Sequence, residues 1–117
     1  MIKKAAELKK QTVEGLKEGK GSIEMIHLLE VDKGEFAGKG RLFAKNVLKP
    51  GCSIGFHKHE GDSETYYILS GEGEIDDNGT KQHIKAGDVI YTPDGESHSL
   101  ENTGNEDMEF IALILYA

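Results

Sequence analysis

The stretch from Gly51 to Gly71 constrains the fold more than any other, because it sets two histidines, a turn and a glutamate in a fixed order. His57 and His59 are two residues apart, so on a β-strand their side chains point to the same face. The four residues that follow include a glycine and an aspartate, which favour a turn that brings Glu64 back on a neighbouring strand. His98 lies on a third segment, which follows a Pro-Asp-Gly turn. Three imidazoles and one carboxylate are a ligand set for a borderline divalent metal.

Two spacing patterns run through this part of the chain. From Gly51 to Gly71 the order is glycine, five residues, His-x-His, four residues, glutamate, six residues and glycine. From Gly87 to Asn102 it is glycine, five residues, Pro-x-Gly, two residues, histidine, three residues and asparagine. Together these patterns resemble the two motifs of the cupin superfamily, and both are complete. So many fixed positions at fixed spacing are a specific signal.

The resemblance implies an all-β fold, the double-stranded β-helix that is also called a jelly roll or cupin barrel, with the metal inside its open end. The turns along the chain predict about ten strands and no helix of crossover length. Residues 1–21 have no clear β pattern, and their apolar side chains fit a short helix. We therefore predict an N-terminal extension over residues 1–21 and a single barrel domain over residues 22–117.

The composition argues against several classes of partner. A net charge of −7 disfavours nucleic acid and anionic membranes, since both require clustered lysine and arginine. No apolar run approaches the length of a membrane span. Cys52 is the only cysteine and no signal-peptide pattern opens the chain, so we expect a cytoplasmic protein. A small molecule is therefore the expected ligand.

The last predicted strand, residues 108–116, indicates a further partner. It reads Met-Glu-Phe-Ile-Ala-Leu-Ile-Leu-Tyr, with little polar alternation, so both of its faces should be covered. One face belongs to the barrel core. A small barrel has little protein outside its walls, so we predict that a second copy of the chain covers the other face in a homodimer.

Three further residues are candidates for the pocket. Arg41 and Phe43 share one face of a predicted strand, and if that face lines the cavity, the guanidinium would anchor an anionic ligand. A solvated Arg41 at the end of the strand is an equal alternative. Tyr66 shares its face with Glu64, so it either hydrogen-bonds near the metal or packs in the core, the more common role of a buried tyrosine.

The metal and its chemistry follow from the ligand set. Four protein ligands leave positions of a six-coordinate metal open, which is typical of a site that binds substrate, whereas structural sites are closed. Imidazole and carboxylate ligands suit Mn, Fe, Co, Ni, Cu or Zn, and the resemblance favours Mn or Fe. We expect a metal-dependent enzyme for a small organic acid or similar oxygen-rich metabolite, of the decarboxylase, oxygenase or isomerase type. The alternatives are a non-catalytic module that binds a small ligand through the metal, and a metal that only braces the barrel.

One family activity fits this sequence incompletely. Oxalate decarboxylases carry an arginine shortly before the first metal histidine, and the residues from Ser53 to Phe56 contain none. The resemblance therefore implies the metal site more firmly than that particular reaction.

Overall fold

The computed structural model describes all residues from Met1 to Ala117. It is built almost entirely of β-strands, as the resemblance implied, and the predicted number of about ten is confirmed. The strands are β1 (Lys9–Glu14), β2 (Ser22–Leu29), β3 (Gly40–Leu48), β4 (Ser53–Lys58), β5 (Asp62–Ser70), β6 (Glu72–Asp77), β7 (Thr80–Lys85), β8 (Val89–Thr92), β9 (Ser97–Glu101) and β10 (Met108–Tyr116). The helical segments are three single 3-10 turns, Ala5–Glu7, Leu16–Glu18 and Val31–Lys33, and none could cross a membrane.

The strands form two antiparallel sheets. The larger sheet has the order β1-β2-β3-β10-β5-β8, and the smaller has the order β4-β9-β6-β7. Many neighbours in these sheets are distant in sequence, as in a double-sheet jelly roll. The predicted double-stranded β-helix is therefore confirmed.

The core lies between the two sheets. Along β10, Met108, Phe110, Ala112 and Ile114 are buried and alternate with side chains that face outward. Alternation of this kind is the two-residue period of a strand with one face on the core. Both sheets contribute to one apolar cluster, whose members are Ile23, Leu48, Ile54, Tyr66, Ile68, Ile75, Ile84, Ile90, Leu100, Met108, Phe110 and Ala112.

The N-terminal residues differ from the sequence-based expectation. The short helix expected there is wrong, because Lys9–Glu14 forms β1 and pairs antiparallel with β2 along its whole length. Five of the six side chains of β1 are exposed, so the sequence lacks the apolar alternation that marks a half-buried strand. Backbone hydrogen bonds to β2 hold these residues in a strand instead.

The turn Leu16–Glu18 lies directly on β4. A Cβ atom at Gly55 would overlap the carbonyl oxygen of Lys17, so only glycine allows this approach of the two backbones. Lys17 and Glu18 both have positive φ angles, of 54° and 64°, which non-glycine residues rarely adopt. The turn is thus held in an unfavourable backbone conformation against the strand that carries His57.

The outer face of the larger sheet carries apolar side chains in neighbouring positions. Tyr67 on β5 pairs with Val89 on β8 and with Ile111 on β10. Val89 is 62% exposed and Tyr91, the next outward residue of β8, is 60% exposed. Large exposed apolar patches commonly mark interaction sites.

Candidate metal centre

Three segments bring the four predicted ligands together. His57 near the end of β4 and His98 on β9 are register partners in the smaller sheet. Glu64 lies on β5 in the larger sheet. His59 follows β4, and its backbone is held by hydrogen bonds to Glu96 and Gly95 of the turn before β9.

The four side chains meet at their coordinating atoms. One ligand atom from each of the four residues lies within 4.8 Å of the others. The Nε2 atom of His98 lies 3.1 Å from Nε2 of His59 and 3.2 Å from Nε2 of His57. Oε1 of Glu64 lies 3.1 Å from Nε2 of both His59 and His98. The structure brings the four residues of the sequence-based prediction into one cluster, and each of the three rings faces it with Nε2.

The opposite ring nitrogens have partners outside the cluster. Nδ1 of His57 donates to the carbonyl oxygen of Gly55 at 2.7 Å, and Nδ1 of His59 donates to Oδ1 of Asp62 at 2.7 Å. Both acceptors lack a proton, so both rings carry a proton on Nδ1, and in its neutral form each ring presents a lone pair at Nε2. Nδ1 of His98 lies 2.9 Å from the hydroxyl of Thr92.

This arrangement fits a metal ion. In the neutral ring of His59, the unprotonated Nε2 atom lies 3.1 Å from Oε1 of Glu64. Both atoms are then hydrogen-bond acceptors, and they repel each other unless a proton or a cation lies between them. At a metal–ligand distance of about 2.2 Å, ligands at right angles are about 3.1 Å apart and tetrahedral ligands are about 3.6 Å apart. The observed 3.1–3.2 Å separations match the right-angled case.

Electrostatics within the cluster favour a charged carboxylate. Burial alone would raise the pKa of Glu64, but hydrogen bonds with His59 and His98 outweigh it and lower this pKa to about 2. The hydrogen bond with Glu64 raises the pKa of His59, whereas burial lowers the pKa of His57. A negative charge at Glu64 is thus present at neutral pH and attracts a cation.

Asp62 is a functional candidate that the sequence reasoning missed. It is 6% exposed, and besides His59 it binds Nε of Arg41 at 3.1 Å. Burial alone would raise the pKa of Asp62, but these two hydrogen bonds lower it overall. The sequence signal was its place three residues after His59, in the turn that leads to Glu64. Arg41, Asp62 and His59 thus form a chain that fixes one imidazole of the cluster.

A cavity of about 90 Å³ reaches the cluster. Its polar lining comes from His57, His59, Glu64, Lys17, Arg41, Asn46 and Tyr66, and its apolar lining from Leu16, Met25, Leu42, Ile54 and Ile114. Lys17 belongs to the Leu16–Glu18 turn, so the N-terminal residues close part of the cavity. Sequence analysis did not single out Lys17 or Asn46.

The two β3 candidates have different outcomes. Phe43 does not line the cavity, so the expectation for it is wrong: the neighbouring Ala44, Asn46 and Leu48 form the inward face of β3, and Phe43 lies on the other. Arg41 lies on the same outward face of β3 as Phe43. Because it is at the end of the strand, its side chain still lines the cavity beside Asp62.

Tyr66 is fully enclosed next to the cluster. Its ring stacks on His98 with centroids 5.1 Å apart and contacts Phe110 edge-on at 5.0 Å. Burial raises the pKa of Tyr66 well above its usual value, and the charge of Glu64 adds to this effect. Tyr66 therefore packs against one predicted ligand and keeps its phenolic proton near the cluster.

Comparison with known proteins agrees with this geometry. The family model of the cupin domain matches residues 46–114. An oxalate-binding protein of Thermotoga maritima is 51% identical over 115 residues, which cover 98% of this chain and 93% of that protein. The crystal structure of a predicted oxalate decarboxylase from Thermotoga maritima has a TM-score of 0.92 at 50% identity, over 100% of both chains. A polyketide cyclase of Streptomyces resistomycificus, with a TM-score of 0.75 and 20% identity over 99% of this chain and 80% of the cyclase, shares only the fold.

Proposed function

The chain belongs to the cupin family, and we propose that it binds a small organic acid of the oxalate class through one divalent metal held by His57, His59, Glu64 and His98. The observation that carries the proposal is the meeting of three Nε2 atoms and one carboxylate oxygen at a cavity. The similarity to an oxalate-binding protein supports the class of ligand.

The size and charge of the cavity support a small anion. A cavity of about 90 Å³ is small beside the pockets of roughly 300–1,000 Å³ that bind drug-sized ligands, which suits an acid of a few non-hydrogen atoms. Lys17 and Arg41 are the cationic side chains in its lining and would attract an acid by their charge. Arg41 would do so while its Nε stays bonded to Asp62.

The chain's own residues would hold and orient the metal. A bound divalent metal would supply a Lewis acid that fixes and polarises a carboxylate of the ligand. Gly55, Asp62 and Thr92 orient the three imidazoles through their Nδ1 atoms. For the metal itself we propose Mn or Fe, with Ni, Co, Cu and Zn as alternatives that elemental analysis distinguishes.

Metal content and ligand binding test this proposal together. Inductively coupled plasma mass spectrometry should find near-stoichiometric metal in the wild type and none in His59→Ala. His83→Ala is the matched control, because His83 is exposed on β7 and should leave the metal in place. Calorimetry should show saturable oxalate binding by the metal-loaded wild type that chelation abolishes. Absence of metal after reconstitution, or oxalate binding that survives chelation, would refute the proposal.

Catalysis on the same ligand is the second candidate function. The observation in its favour is that the cavity reaches three of the four predicted ligands, so a bound acid could contact the metal. Besides the predicted ligands, Tyr66 and Lys17 are the side chains in the lining that could transfer a proton to a bound acid.

Product analysis separates binding from catalysis. Decarboxylation would convert oxalate and one proton into formate and carbon dioxide. Oxidation would convert oxalate, dioxygen and two protons into two molecules of carbon dioxide and one of hydrogen peroxide. Incubation with ¹³C-oxalate should give neither formate nor peroxide if the protein only binds, and product that disappears in His57→Ala would establish an enzyme.

We also propose that a second copy of the chain covers the outer face of the larger sheet. Tyr67, Val89 and Tyr91 expose contiguous apolar surface there, beside the outward side chains of β10. Light scattering should give a dimer for the wild type and a monomer for Tyr91→Glu. Val31→Glu is the control, since Val31 is 53% exposed in a turn away from this face. A monomeric wild type would refute the homodimer.

A further inference from the structure

Asn46 carries the only buried side-chain nitrogen or oxygen atom without a hydrogen-bond partner in the protein. The residue is 2% exposed, and its Oδ1 atom has no partner. It lies on the inward face of β3, between the fully buried Ala44 and Leu48. Its register partners are Met25 on β2 and Phe110 on β10. A polar amide therefore stands in apolar surroundings, where an aliphatic side chain would pack at no such cost.

The other fully buried asparagine shows the contrast. Asn102, 1% exposed, donates from Nδ2 to the carbonyl oxygens of Leu48 and Glu106, both at 2.8 Å. Its Oδ1 accepts from the backbone nitrogen of Gly104 at 3.0 Å. The fold thus satisfies a buried amide completely where the amide is structural, and Asn46 departs from that rule.

The unpaired amide of Asn46 lies in the wall of the cavity that reaches the metal centre. It lines the same space as His57, His59 and Glu64. Two neighbours of Asn46 in the cavity wall are apolar: Leu42, which is also on β3, and Met25, its register partner on β2. An amide in that wall offers two N–H donors and one acceptor, and rotation by 180° exchanges them. Oδ1 only accepts and is closed off from solvent, so a molecule in the cavity that carries acceptor oxygens would pair with the N–H groups of this amide.

We propose that the side-chain amide of Asn46 hydrogen-bonds the acid held at the metal centre and selects acids that carry a second oxygen-bearing group. One carboxylate of such an acid would occupy the metal, and an oxygen of the second group would accept an N–H of Asn46. A hydroxyl in that place would instead donate to Oδ1. A monocarboxylate such as acetate fills the metal position and leaves the amide unpaired. This inference rests on the proposed function, because it requires a metal-bound acid in the cavity.

The chemistry of the remaining lining supports Asn46 as the selective residue. Lys17 and Arg41 are charged, so they would attract any anion, and a dianion more strongly than a monoanion, whichever oxygen group carries the charge. Tyr66 is packed against His98 and Phe110. Asn46 is a neutral hydrogen-bonding group on a buried strand face, and sites built to hydrogen-bond a substrate group discriminate strongly against analogues that lack it.

Calorimetry with two probe acids tests the inference. The metal-loaded wild type should bind oxalate more tightly than acetate. Asn46→Leu, which replaces the amide by an apolar group of similar size, should bind oxalate about 10- to 100-fold more weakly and acetate equally well. Its metal content should equal that of the wild type, and its melting temperature should be no lower, because the unpaired buried atom is gone. Asn105→Leu is the control, because Asn105 is an exposed asparagine outside the cavity, and it should keep the wild-type ratio of affinities.

The outcomes separate failure of this inference from failure of the proposed function. If Asn46→Leu binds oxalate as tightly as the wild type, a buried water pairs the amide and the inference is overturned while the metal-dependent binding stands. Loss of metal from Asn46→Leu would also overturn it, since the residue would then support the cluster. Asn46→Ala repeats the measurement should the leucine fail to fold. If the metal-loaded wild type binds no oxalate, the proposed function falls and the inference falls with it.

Discussion

Replacing Asp62 by asparagine should weaken metal binding although Asp62 does not belong to the cluster. Oδ1 of Asp62 accepts from Nδ1 of His59 at 2.7 Å, and Oδ2 accepts from Nε of Arg41 at 3.1 Å. An asparagine can satisfy only one of these donors. If its oxygen faces His59, its NH₂ group opposes the N–H of Arg41. If it turns round, its NH₂ group faces His59 and moves the ring proton to Nε2, the atom that points into the cluster.

Either arrangement removes the negative charge behind the imidazole. Losing such a partner costs about 10- to 100-fold in metal affinity, or about 1.4–2.7 kcal/mol. Competition against a chromophoric chelator measures the dissociation constant directly. Asp94→Asn is the matched control, because Asp94 accepts from the backbone nitrogen of Gly61 in the same region and touches no histidine. Asp62→Asn binding metal as tightly as the wild type would refute the view that Asp62 fixes His59.

Three other predictions follow from the same structure. Metal content should fall as the pH drops through about 6.5 and below, because the hydrogen bond with Glu64 raises the pKa of His59 and a proton then competes for its Nε2 lone pair; full occupancy after dialysis at about pH 5 would contradict this. Gly55→Ala should lower the melting temperature and speed proteolysis near Lys17, whose carbonyl oxygen the new methyl group would overlap. Phe110→Ala should cost about 3–5 kcal/mol in urea unfolding, since Phe110 is fully buried, and a loss below about 1 kcal/mol would show that the core closes over the gap.

The sequence could predict the cluster because few physical rules determine it. The two-residue period of a strand puts His57 and His59 on one side, and a short turn leaves little choice about where Glu64 returns. His98 was added as a third imidazole after a turn, and the resemblance to a known family supported it, but no local rule predicts its pairing opposite His57, which joins strands distant in sequence. The division of each strand into two faces and the approximate number of strands followed from the same period and from the turns.

The rest depended on packing between elements, which alternation does not determine. Alternation divided β3 into two faces but could not say which one points inward, so Phe43 was placed on the wrong side. β1 has exposed side chains and gains its structure from pairing with β2, so no local pattern marks it. Asp62 and Asn46 matter because of what surrounds them in space. Asparagine and aspartate occur in so many turns and strands that their positions carry little signal alone.

The site also links ligand binding to the architecture of the barrel. Glu64 belongs to the larger sheet, whereas His57 and His98 belong to the smaller one. A metal bound by all three would join the sheets at the end where the cavity opens. Without a cation, the groups of the cluster join the two sheets only through the contacts of Glu64 with His59 and His98, both at 3.1 Å. Metal binding should therefore tighten the cavity walls, including the inward face of β3 that carries Asn46, so the order of binding should be metal first and acid second.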